Sequence, residues 1–235
     1  DKCLKIAAAQ VQKPEDFFKI LKTIQQDIEQ LNFGEMLMIP GGWNGATTRG
    51  SVVHLIEKMQ GSNGEVSYSF ITCNSGEGLE YHLSKPDDDI QSGKLKYKTC
   101  LRINNIPLER MMDNAFWMNL LAQRMKEPAS ENQRSEMLYD VLLPWLAGDR
   151  LISTVLAEEQ ANNDPFSDWR TPARSNTSHY RSVWEAARYM CRWHGLSHIK
   201  MKQFSFRMRQ DMLVKTMEDL NIFDDPQKTF RGYSV

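Results

Sequence analysis

The sequence predicts an α+β protein, a block of short strands held between helical segments. Three observations carry that prediction. Between Met36 and His82 the chain alternates with period two on either side of Gly61-Ser62-Asn63-Gly64, the pattern of a β-hairpin closed by an Asn-Gly turn. Before it, Phe17, Ile20, Leu21, Ile24, Ile28 and Leu31 recur every three or four residues, one apolar stripe that ends before Gly34. After Asn105-Ile106-Pro107 the apolar spacing returns to that of a helix, through Met111, Met112, Ala115, Phe116, Met118, Leu121, Ala122 and Met125.

Taken in order, the opening stretch reads as two helical pieces separated near Pro14, with Cys3 a small buried residue or a thiol at a helix start. A short strand from Met36 to Ile39 leads into a glycine-rich loop, PGGWNG. There Gly41 and Gly42 would let an extended peptide approach the backbone, and Trp43 would either wall a substrate groove or belong to the core. Lys85 to Asp89 reads as a solvated loop, and residues 94–103 as one further strand. Helices are expected over 108–126, over 132–143 ahead of Pro144, and over 149–160. Ser175-Asn176-Thr177-Ser178 supplies capping residues for a helix over 178–194, and a last helix, with a basic face, follows over 200–220.

Composition bounds the function. A chain of 235 residues with 41% hydrophobic and 25% charged side chains has ample material for a core. Its net charge of −1 provides no basic field, so neither nucleic acid nor a membrane is expected as a partner. No run long enough to span a bilayer and no signal-like segment stands out. Four cysteines at 3, 73, 100 and 191 have no metal-binding or framework spacing, which points to a reducing compartment, cytoplasmic or nuclear, and away from structural zinc. The first residue, Asp1, suggests a piece of a longer protein.

Two hairpin residues have chemical potential. His54 lies in the first strand and Asn74 ends the second, at about equal distances from the turn, so the two could meet across the ladder. A neutral imidazole acting as general base needs such a second group to fix its tautomer and orientation. A small nucleophilic side chain at Ser178 would sit in the field of a helix N-terminus, although most serines there are simple caps. His179 reads as a surface residue, His194 and His198 as groups at a helix end, and His82 as packing after the Glu77-Gly78 loop; no pair has metal spacing.

The segments GSVVHLI, turn, strand, CNSG resemble the histidine hairpin of papain-like thiol peptidases, and ARSNTSHYRSVWEAARYM is similar to their nucleophile helix. The order His54, Asn74, position 178 resembles the rearranged branch with adenovirus-type and SUMO-type proteases and acetyltransferase effectors. The resemblance covers residues 36–82 and 170–195. It implies a single catalytic domain over 1–235, a small antiparallel sheet packed on the nucleophile helix, and a helical insertion over 108–160. It further implies a thiol hydrolase of amide or isopeptide bonds, removing ubiquitin or a relative without metal or cofactor. His54 would be the base, Asn74 its orienter, position 178 the nucleophile, and Gly41, Gly42 and Trp43 the groove. An acyltransferase with the same triad, or a catalytically dead binding or scaffold module, are the alternatives. Position 178 departs from the family, which has Cys. A deliberate Cys-to-Ser replacement, a natural pseudo-enzyme and a nucleophile elsewhere, such as Cys3, stay open. The family's oxyanion glutamine is not evident; Arg174, Asn176 or backbone N–H groups would replace it.

Overall fold

The computed structural model describes residues 14–44, 49–61, 63–87, 93–125, 135–162, 165–173 and 178–219. Cys3, Arg174 and Asn176 lie outside that set, as does the first helical piece. The chain divides into two compact units, Asp1–Met190 and Cys191–Val235.

The first unit is α+β, as the periodicities predict. The apolar stripe forms helix α1 (Pro14–Glu29), and strands β1 (Met36–Asn44), β2 (Arg49–Gln60) and β3 (Val66–Cys73) follow. The turn between β2 and β3 closes with Gly61 N donating to Glu65 O, and Gly64 at φ 84° supplies the left-handed residue that it needs. Strands β4 (Ser84–Pro86), β5 (Leu95–Lys98) and β6 (Cys100–Ile106) come next.

The single strand expected over 94–103 is thus two strands that break at Thr99. Its N–H donates to Asp168 O, and there the chain passes from one sheet to another. Strand β6 completes an antiparallel sheet in the order β1-β2-β3-β6, while β5 lies between β4 and β7 (Trp169–Arg170) in a second, three-stranded sheet. The expected solvated loop is also corrected: Ser84–Pro86 is strand, and Asp87 is buried with its carboxylate 2.5 Å from Lys96 Nζ.

Helices α2 (Leu108–Met111) and α3 (Asn114–Met125) replace the one helix expected over 108–126. Asp113 separates them, its carboxylate accepting the Phe116 N–H as an N-cap does. Around Pro144 the helix does not stop. A π-helical stretch, Met137–Leu142, precedes α4 (Leu143–Leu146), and this wider winding carries the chain past a residue that has no N–H to donate. Helix α5 (Ile152–Asn162) and helix α6 (Ser178–Trp193) follow, and α7 (His198–Asp219) lies in the second unit.

Strand alternation gives the four-stranded sheet two different faces. Val52 and Ile56 of β2, Phe70 of β3 and Leu101 and Ile103 of β6 pack with Leu21, Ile24 and Ile28 of α1 and Phe116, Trp117 and Leu120 of α3. The intervening residues Val53, Leu55, Ile71, Cys73 and Cys100 pack with Ala186 and Tyr189 of α6. A buried cluster reinforces this second face: Arg102 bonds Glu57 at 2.6 Å, Ser69 at 2.9 Å and the Tyr189 hydroxyl at 2.8 Å. The sheet therefore has a face for α6 and a face for the other helices of its unit.

Candidate functional site

His54 belongs to the face turned away from α6. In the β2–β3 ladder Gln60 faces Val66, so His54 faces Thr72 and Asn74 lies beyond the last pair. The expected pairing of His54 with Asn74 is corrected by this two-residue offset, which the length of the turn sets. The His54 ring is fully buried, with its centroid 4.8 Å from that of Phe70, and Nδ1 lies 3.2 Å from Thr72 Oγ1. Nε2 has no hydrogen-bond partner among the described residues. It lies against Gly41, where a Cβ would come within 2.3 Å of it. Burial holds the imidazole neutral, with its pKa pushed down to about 3.

Asn74 does different work. Its Nδ2 donates to Glu77 O at 2.7 Å and to the Tyr139 hydroxyl at 3.1 Å, and its Oδ1 accepts the Gly76 N–H at 2.9 Å. The Tyr139 hydroxyl donates in turn to His82 Nε2 at 2.9 Å, and His82 Nδ1 donates to Lys98 O at 2.8 Å, an assignment that the carbonyl partner dictates. Burial lowers the His82 pKa to about 4, against the smaller opposing effect of the Lys98 carbonyl, and burial raises that of Tyr139. The chain Asn74–Tyr139–His82 is thus a neutral buried network that ties the 74–82 loop to the π-helical stretch. His82 was legible only as a packing residue, and nothing in local sequence marks Tyr139.

Replacing Tyr139 by Phe keeps the ring stack on Tyr81, whose centroid is 4.7 Å away, and removes the hydroxyl between two buried polar groups. A loss of about 2 kcal/mol in urea-unfolding stability is expected; a change within error would show that the network adds nothing.

The expected groove residues are core residues. Trp43 is 2% exposed, and Gly41 and Gly42 are buried. A Cβ on Gly50 would come within 2.0 Å of the Trp43 ring, and one on Gly42 within 2.1 Å of Gly50 O, so these glycines let strand β2 and the indole approach closely. Arg124 Nη1 donates to Gly41 O at 2.9 Å, which ties β1 to α3. None of the three offers a surface to a peptide.

Ser178 opens α6. Near the start of this helix Ser182 Oγ donates to Ser51 O at 2.8 Å and lies 3.3 Å from Ser75 Oγ. By strand alternation Ser51 falls on the α6 side of β2 with Val53 and Leu55, and His54 falls on the other side with Val52 and Ile56. His179 and Tyr180 are exposed, with ring centroids 4.0 Å apart. Among the described residues no group of three or more His, Cys, Asp or Glu is placed to hold a metal ion, and no helix is long and apolar enough to cross a membrane. His54 and Asn74 are accordingly engaged separately, His54 with Thr72 and Asn74 with Glu77 and Tyr139, on the face of the sheet turned away from α6. Comparison with family models, with curated proteins and with solved structures returns no match for this chain.

Proposed function

We propose that the chain is a non-catalytic module of papain-like layout, which recognises a ubiquitin-like partner or scaffolds a larger protein inside the cell. The layout is supported by the antiparallel sheet packed against a helix that begins at 178, with the Asn74 loop at the end of its hairpin. The single observation that carries the absence of catalysis is the orientation of His54, which is buried on the sheet face opposite α6. A general base must come within hydrogen-bond reach of the proton that it removes, and an imidazole without solvent contact on the far face does not. The serine at 178 adds to this, since a hydroxyl is far less acidic than a thiol.

The test is to mix the native chain and its Ser178→Cys variant with a ubiquitin-like protein that carries a C-terminal electrophile, and to follow intact mass. The expected result is no adduct in either form, together with saturable binding of the unmodified ubiquitin-like protein that His54→Gln leaves unchanged. An adduct in the Ser178→Cys form that is lost with His54→Gln would overturn the proposal in favour of a thiol hydrolase.

A further inference from the structure

We propose that Cys73 and Cys100 form an oxidation site, which a hydroperoxide converts into a disulfide across strands β3 and β6. The register places the two residues directly opposite one another, and their sulfurs are 3.4 Å apart. Antiparallel pairs alternate between wide, hydrogen-bonded sites and narrow, non-bonded ones. Asn74 N donates to Thr99 O in the neighbouring pair, and Cys100 N donates sideways to Ser167 Oγ at 2.9 Å, so Cys73 and Cys100 occupy a narrow site. The Cα separation typical of a narrow site falls within the range that a disulfide spans, and rotation about the Cα–Cβ bonds would close the remaining distance between the sulfurs. Both are thiols in this structure.

Burial argues for slow reaction, since the two side chains are 0% and 1% exposed. Their position in the strands provides the way in. Cys73 is the last residue of β3, Cys100 is the first of β6, and β6 is an edge strand of its sheet. Local opening of that corner, against the Thr99–Asp168 and Cys100–Ser167 hydrogen bonds, is the step that admits the hydroperoxide.

The chemistry balances with one hydroperoxide. A Cys thiolate attacks the terminal peroxide oxygen, the O–O bond breaks, and the leaving alkoxide or hydroxide takes up the thiol's proton, which leaves a sulfenic acid. The second thiolate attacks that sulfur, the S–O bond breaks, and the departing hydroxide takes up the second proton as water. Two thiols are oxidised, one peroxide bond is reduced, and the disulfide staples the end of the strand that leads into the Asn74 loop. The inference is independent of the recognition role proposed above.

The test treats the full chain with hydrogen peroxide under native conditions, blocks remaining thiols by alkylation, and maps peptides without reduction. The expected product is one intramolecular cross-link between the peptides of Cys73 and Cys100, with a rise in Tm of about 10 °C that a dithiol reductant reverses. Cys73→Ala and Cys100→Ala should each abolish the rise, and Cys191→Ala should leave it. A map in which Cys73 and Cys100 remain separately alkylated, carry over-oxidised sulfur, or pair with other cysteines would overturn the proposal. The map of the native chain decides this even where a variant folds poorly.

Discussion

Acidification from pH 6.5 to pH 5 lowers the free energy of unfolding by about 3 kcal/mol through two buried histidines alone. His54 and His82 have folded-state pKa values lowered by burial to about 3 and about 4, against 6.5 for an ordinary imidazole. Between the folded and unfolded values the unfolded chain binds a proton at each site and the folded chain does not. Stability is therefore complete above pH 6.5 and falls as the pH falls, at about 1.4 kcal/mol per pH unit for each histidine. Both contribute down to about pH 4, and His54 alone continues to about pH 3. Carboxylates titrate in the same range, so the measurement compares variants at matched pH. His54→Gln should reduce the slope of urea-unfolding stability against pH by about 1.4 kcal/mol per unit. An unchanged slope, with the His54 ring signal titrating at its ordinary value, would show that the ring reaches solvent.

Truncating Trp43 to alanine is expected to cost about 4 kcal/mol, a fall in Tm of about 10 °C. The sequence alone left this residue equally suited to a groove wall and to the core. A groove wall would lose affinity for a partner with little change in stability. The indole is 2% exposed, and both Gly50 and Gly78 are close enough that a Cβ on either would strike or crowd its ring. Its removal leaves a cavity between β1, β2 and the 74–78 loop, which neighbours fixed by strand pairing cannot fill. A cost below about 1 kcal/mol would place the ring outside the packed core.

The parts of the fold that were legible are those in which one periodicity persists. The stripe from Phe17 to Leu31 announces α1, and alternation around Gly61–Gly64 announces the β2–β3 hairpin. What failed depends on long-range contacts. Nothing local to residues 94–103 says that Thr99 hands its N–H to Asp168 and splits one strand between two sheets. Pro144 reads as a stop because the π-helical stretch before it leaves no simple sequence mark. The candidate site failed for a sharper reason. A shift of two residues in the hairpin register replaces Asn74 by Thr72 as the neighbour of His54. The parity of β2 then decides which helices the ring meets, and it gives Ser51, not His54, to the α6 side. Sequence can list a histidine, an asparagine and a helix start; only the assembled sheet says whether they face each other.

The most direct measurement of that arrangement is the pH dependence of thiol alkylation in the Ser178→Cys variant, with and without His54→Gln. The helix N-terminus by itself lowers the pKa of a thiol placed there, so the absolute midpoint is not the criterion. If His54 is buried on the opposite face of the sheet, the two rate profiles superimpose. A midpoint lowered in the single variant and restored toward the ordinary thiol value by His54→Gln would mean that the imidazole and position 178 form an ion pair, and would contradict the account.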